Sequence, residues 1–332
     1  MRLDRFSIIL YIAFPVIGSI CSIIMITQFV WLVQGSLENG LYPEVMVYVD
    51  MARNLTFFGN DHHTHRVLIP AVVGLLTNMF GITDFDSIAL VFGTWNFAFF
   101  IFGIGVMLRI AIYEQGVNVF ELILPTILVL FLPFFLSAVF YPILEAGIFL
   151  AFGLIFMALF YRNLPMLFVI TIISAWVSEV TLLALFIIPA LNYARKDNWW
   201  QAYLPFLLSG LLYVLVLISL SPDLSSHYLF NPNSWVTEIN ANFRQFDQYF
   251  FIQLLPAFAL AVPFIAYRFY KGGSQRIVQS TLLLLSAYYI VFLLLSPEDT
   301  GRLMFMVMPL LVLFNFNDKT IAGLTNKFRN PD

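Results

Sequence analysis

The chain has 332 residues, of which 61% are hydrophobic and 11% charged, with a mean hydropathy of +0.89 and a formal net charge of −3. Soluble domains carry about 25% charged residues, so water cannot be the solvent for most of this surface, and no basic stretch points to nucleic acid. The lone Cys21 excludes an internal disulfide and a thiolate metal cluster.

Met1-Arg2-Leu3-Asp4-Arg5 opens an apolar run that reaches Leu32. The run outlasts the about 7–15 residues of a signal-peptide core and has no small-residue cleavage site, so it is expected to stay as the first transmembrane helix. In hydrocarbon every backbone polar group needs an internal partner, and apolar runs of about 20 residues therefore read as helices. They fall at 8–33, 86–112, 118–138, 142–161, 165–178, 180–194, 200–220, 250–269, 276–295 and 303–317. Together they predict an all-α polytopic membrane protein of about ten spans, forming one domain over 1–332. Glu179 interrupts the apolar run from Met166 to Tyr193. That run is either one tilted helix or two helices meeting at the outer face.

The positive-inside rule decides between these. With the N-terminus inside and a hairpin at Glu179, 12 of the 16 basic residues fall inside, and only Arg53, Arg66, Arg244 and Arg302 fall outside. A single helix through Glu179 would move Arg195 and Lys196 outside. Both termini are therefore expected to be cytoplasmic. Residues 66–80 are apolar but short, and letting them cross would put Arg109 and Arg162 on the wrong side, so they are expected to form an interfacial helix on the outer face. Two outer loops result, 34–85 and 221–249, the second carrying Trp235, Phe243, Phe246 and Tyr249 at interfacial spacing.

With this topology 13 of the 19 acidic residues lie at or near the outer face. Most are solvated loop residues. Glu145 and Glu179 differ, since each sits within or at the edge of a strongly apolar helix. An intramembrane carboxylate costs about 2.5–3.5 kcal/mol on insertion scales and marks a functional candidate, against the simpler role of a hydrogen bond to a neighbouring helix. The first loop is the densest, with Glu44, Tyr48, Asp50 and Arg53 followed by Asp61-His62-His63-Thr64-His65-Arg66. Imidazole and carboxylate are the usual donors to zinc and manganese, which makes Asp61, His62, His63 and His65 a candidate set for a divalent metal, although adjacent loop histidines also arise without one. In the last outer loop Arg302 follows Glu298, where it can hold a phosphate or pair with that glutamate.

Four short patterns resemble the GT-C superfamily of membrane glycosyltransferases that use polyprenyl-phosphate sugars. They are an acidic residue shortly before a Tyr and a Met-Ala-Arg run (Glu44, Tyr48, Asp50 to Arg53), an interfacial Arg-x-Leu-x-Pro helix (Arg66 to Pro70), a Tyr-x-x-Asp helix opening, approached here by Tyr141-Pro-Ile-Leu-Glu145 with one further residue, and an Arg-Glu-Thr helix break, here Ser178-Glu179-Val180-Thr181. A late Glu298-x-x-x-Arg302 supports the last. The first-loop acid is either Glu44, by its spacing to Tyr48, or Asp50, by residue type, and Ser178 stands where basic residues are common.

The resemblance implies inverting transfer of a sugar from a polyprenyl-phosphate donor to a glycan, lipid or protein acceptor on the non-cytoplasmic face. A bacterial inner-membrane location follows from it. Glu44 or Asp50 would be the catalytic base. Arg66 and Arg302 would stabilise the lipid phosphate, and Tyr48, Tyr141, Glu145 and Glu179 would line the donor cavity. The rival reading is a transporter or flippase of a lipid-linked or polar substrate, which would use Glu145 and Glu179 in a midplane cavity but should show an internal repeat, and none is evident. A metal-dependent hydrolase would carry a motif such as His-Glu-x-x-His, which is absent.

Overall fold

The computed structural model describes residues 43–58, 64, 66–109, 144–196 and 198–220, together with the single positions 236, 240, 279, 284 and 287. The expected helices 8–33, 118–138, 250–269, 276–295 and 303–317, and the second outer loop, lie outside the described residues apart from those single positions. Among the described residues every regular element is helical and no strand occurs.

In chain order the elements are α1 (Pro43–Asn54), α2 (Leu68–Met79), α3 (Phe85–Arg109), α4 (Glu145–Phe160), α5 (Leu164–Val177), a 3-10 helix (Glu179–Phe186), α6 (Ile187–Arg195), a short 3-10 turn (Trp200–Ala202) and α7 (Tyr203–Leu220). Among the described residues two stretches, Phe85–Val106 and Trp200–Leu220, are long and apolar enough to cross a membrane. α2 is not: 12 residues make about 18 Å at 1.5 Å per residue, against a hydrocarbon core of about 30 Å.

Local chemistry accounts for the boundaries. Asp84 starts α3 by accepting the Ser87 backbone N–H at 2.9 Å, and Asn163 starts α5 by accepting that of Met166 at 3.0 Å, both satisfying donors that a helix N-terminus leaves open. Between α4 and α5, Arg162 takes a left-handed backbone, φ 53°, and its partial burial lowers the guanidinium pKa from the ordinary arginine value. α5 stops at Ser178, whose backbone is extended and whose Oγ accepts the Val180 N–H at 3.3 Å. The chain resumes as a 3-10 helix of 8 residues, where runs beyond about 3–4 are uncommon. Pro189 explains why α-helix returns only from Ile187. It lacks the N–H that would bond to the Leu185 carbonyl, and its ring would clash with that carbonyl in a continuous α-helix.

The packing register establishes the chain reversal at Glu179. Ser209 Oγ on α7 donates to Thr171 Oγ1 on α5 at 2.9 Å. About one turn further along both helices the Tyr213 and Trp176 rings meet at 5.2 Å. These contacts advance together, so α5 and α7 run parallel and the segment between them must run back. Leu182, four residues past the break, accordingly faces Gly210, which precedes Tyr213. This is the hairpin that charge asymmetry predicted.

The core is rich in aromatics: Tyr48, Phe92, Phe149, Phe152 and Phe156 are fully buried. α3 meets α4 at Gly103, where an added Cβ would lie 2.5 Å from the Phe149 ring. Outward, α7 leaves Leu204, Leu207, Leu211, Leu215 and Ile218 exposed in one stripe at helical spacing.

Candidate functional site

Three separated segments converge at the Glu179 corner. α1 turns Val45, Tyr48, Val49 and Ala52 inward, and Tyr48 is 1% exposed. It lies close to α2 because Gly74 has no side chain: a Cβ there would collide with the Ala52 carbonyl oxygen and approach Leu55 Cδ2 to 2.6 Å. Leu55 and Phe58 adopt left-handed backbones, φ 49° and 62°, which cost about 1–2 kcal/mol each for L-residues and must be held by the surrounding packing. The Phe58 N–H donates to the Thr64 carbonyl at 3.2 Å, two residues before Arg66, which stands just ahead of α2.

The Arg66 guanidinium is held in a planar fork. Nη2 donates to Glu179 Oε1 at 2.7 Å and Nε to Oε2 at 3.2 Å, while Nη1 donates to the Tyr48 hydroxyl at 3.1 Å. Side-chain exposure is 16% for Arg66 and 14% for Glu179, so this bidentate, charge-assisted pair is poorly screened and much stronger than a surface ion pair. Glu179 reaches it because the α5 break places it at the apex of the reversal.

Aromatic rings wall the corner. Trp176, two residues before the break, meets Phe58 edge to face at 6.2 Å and Tyr213 at 5.2 Å. Tyr213 is buried and within electrostatic reach of Glu179, Arg66 and Tyr48. The start of α4 abuts the same corner: Gly147 sits against Ile69 of α2 and Val177 at the end of α5. Glu145, two residues earlier, is 7% exposed, and its position in the first helical turn suits a carboxylate electrostatically.

Tyr48, Arg66 and Glu179 are thus drawn together, with Glu145 in the neighbouring helix start. Asp50 lies on the exposed face of α1, turned away from Tyr48. Glu44 occupies the position one helical turn before Tyr48. Tyr141, Arg302, Asp61, His62, His63 and His65 lie outside the described residues. Among the described residues no cluster of three or more His, Cys, Asp or Glu could hold a metal ion.

The sequence reading gives Arg66 to the lipid phosphate and Glu179 to the cavity lining and does not reveal their pairing. It also missed Phe58, Trp176 and Tyr213. The only available signal was the nearness of Trp176 to the Ser178-Glu179 break, since aromatic residues at 17% of the chain are otherwise unremarked. No protein-family model, curated protein or solved structure matches the chain.

Proposed function

We propose that the chain is a polytopic membrane glycosyltransferase of the GT-C type, which moves a sugar from a polyprenyl-phosphate donor to an acceptor on the non-cytoplasmic face with inversion. The observation that carries this reading is the Tyr48–Arg66–Glu179 constellation. It joins three of the four patterns on which the resemblance rests, across 113 residues of sequence between Arg66 and Glu179. The uncovered apolar stripe of α7 supports a lipid environment, since soluble monomers rarely expose such patches. The wider topology of about ten spans, cytoplasmic termini and a bacterial inner-membrane location belongs to the same proposal and rests on charge asymmetry and the resemblance.

The reaction follows from the chemistry of the donor. The acceptor oxygen attacks the anomeric carbon while the bond from that carbon to the phosphate oxygen breaks, and the phosphate leaves with the bonding pair. Phosphate is a good leaving group, so no acid is needed. The acceptor's proton goes to a carboxylate in the first loop. Of the two expected acids Glu44 suits this role better, because its position shares the Tyr48 side of α1 whereas Asp50 faces away. Arg66 balances the charge that develops on the departing phosphate, and Glu179 and Tyr48 hold its guanidinium plane in place beforehand. Arg302, Tyr141 and Glu145 complete the donor cavity in this reading.

The test is release of polyprenyl phosphate by the protein in nanodiscs supplied with polyprenyl-phosphate hexoses and a crude glycan acceptor. Wild type should release it, and Arg66→Gln and Glu44→Gln should each lower the rate by about 10²-fold or more. Donor binding without release would overturn the reading. It would favour a transporter or flippase, which the break in the Glu179 helix also suits, because carriers place interrupted helices at their substrate sites.

A further inference from the structure

We infer that Trp176 is the platform on which the donor's pyranose ring stacks, with Phe58 and Tyr213 holding the indole in position. The inference rests on the glycosyltransferase reading and names a residue for which neither the sequence patterns nor that reading has a use.

The first support is position. A leaving phosphate beside Arg66 puts the anomeric carbon, and the sugar ring attached to it, within one ring's width of the Arg66–Glu179 pair. Trp176 precedes Glu179 by three residues across the break in α5. Its ring contact Tyr213 is itself within electrostatic reach of Glu179 and Arg66.

The second support is surface chemistry. A pyranose has one face of C–H groups and a rim of hydroxyls. The C–H groups carry partial positive charge and suit the negative face of an aromatic ring. The hydroxyls suit a carboxylate or guanidinium that bridges two of them. A mostly apolar wall with a few convergent polar groups is the usual make-up of a small-molecule site, and the corner combines both elements.

The third support is the state of the indole. Trp176 is partly exposed, whereas Tyr213 is 3% exposed. The interplanar angles of Trp176 to its neighbours are 85° with Phe58 and 58° with Tyr213, so neither ring lies flat on it. Phe58 also bears a left-handed backbone and donates its N–H to Thr64, two residues before Arg66. One residue thus couples the placement of the cation to that of the aromatic wall.

The experiment compares wild type, Trp176→Phe and Trp176→Leu in nanodiscs by donor KM, kcat and donor-dependent tryptophan fluorescence. Stacking predicts that Trp176→Leu raises the donor KM at least tenfold with kcat within about threefold, while Trp176→Phe, which keeps a π face, stays near wild type. Saturating donor should quench the wild-type emission, and Trp176→Phe should lose that quench even if Trp176→Leu fails to fold. An unchanged KM in Trp176→Leu, or a quench that persists in Trp176→Phe, would overturn the platform. The two readings fail separately. Wild type that shows the Trp176-dependent quench but releases no polyprenyl phosphate keeps the sugar platform and removes the transferase.

Discussion

Replacing Glu179 by Gln would leave the Arg66 cation in a site that is only 16% exposed, and the cost can be worked from the geometry. The glutamine keeps one acceptor oxygen, so one of the two contacts at 2.7 and 3.2 Å can survive, still donated by the cation but to a neutral oxygen. The other contact is lost, and a hydrogen bond to a charged group contributes about 1.5–3 kcal/mol. Exposed ion pairs contribute about 0–1 kcal/mol and breaking a fully buried pair costs about 3–5; the observed exposure lies between these limits. The expected loss is about 2 kcal/mol, read as a lower midpoint of unfolding in mixed micelles.

A double-mutant cycle isolates the pairwise part of that loss. Arg66→Met removes the stranded cation, so Arg66→Met combined with Glu179→Leu should recover much of the stability, with a coupling energy of about 2 kcal/mol. Activity should not return, because the phosphate's counter-charge is gone. Single effects that simply add, with coupling below about 0.5 kcal/mol, would show that the pair does not form in the bilayer and would remove the basis of the proposed site.

Three further outcomes test the surroundings. Asp50→Asn should release polyprenyl phosphate within about twofold of wild type, because Asp50 lies on the exposed face of α1; a loss as large as that of Glu44→Gln would reverse the choice of base. Gly74→Ala should destabilise the protein by about 1–3 kcal/mol, the usual cost of overpacking, and should lower activity by moving Tyr48 off Arg66, since its Cβ would meet the Ala52 backbone. Asp84 tests pH dependence: hydrogen bonds from the Ser87 hydroxyl and backbone N–H hold its pKa below the ordinary 3.8. A depressed folded pKa stabilises above the ordinary value and is lost as pH falls through the folded one. Wild type should therefore lose its thermal advantage over Asp84→Ala when acidified below about pH 4, while Asp84→Asn, which caps without titrating, should show no such step.

The helices were legible because hydropathy and charge report directly on solvent. Helices expected at 86–112, 142–161 and 200–220 correspond to Phe85–Arg109, Glu145–Phe160 and Trp200–Leu220, of which the first and last are long and apolar enough to cross a membrane, and the expected interfacial stretch 66–80 contains Leu68–Met79. Arg195 and Lys196 were enough to indicate the reversal at Glu179. The 3-10 form of the return segment was not legible, since hydropathy is blind to whether a carbonyl bonds three or four residues on. Pro189 held that information, but only once the α-helix was known to start at Ile187. The site was legible as a set of residues on one side of the chain and not as contacts. That Arg66 would reach Glu179 depends on Gly74 letting α1 and α2 close up and on the left-handed turns at Leu55 and Phe58, and tight helix contacts and strained loops leave little trace in composition.

Helix length ties Pro189 to the site. The return segment has 8 residues of 3-10 helix and 9 of α6. At about 2.0 and 1.5 Å per residue these reach about 29 Å, close to the about 27 Å of α7, which runs in the opposite direction, with its 18 residues. The same 8 residues wound as α-helix would be about 4 Å shorter, enough to draw Glu179 out of reach of Arg66 while the far end stays docked. Pro189 opposes this at the end of the stretch, where it removes the α-type bond to Leu185. Pro189→Ala restores the N–H and removes the clash, so it should favour α-helix through the segment. Transferase activity should then fall by about 10²-fold, as expected when a group of the proposed site shifts by an ångström or more, and the coupling between Arg66 and Glu179 should shrink in a repeated double-mutant cycle. A Pro189→Ala variant with wild-type activity and undiminished coupling would mean that packing against α5 and α7, rather than the proline, sets the hydrogen-bond register that carries Glu179 to the corner.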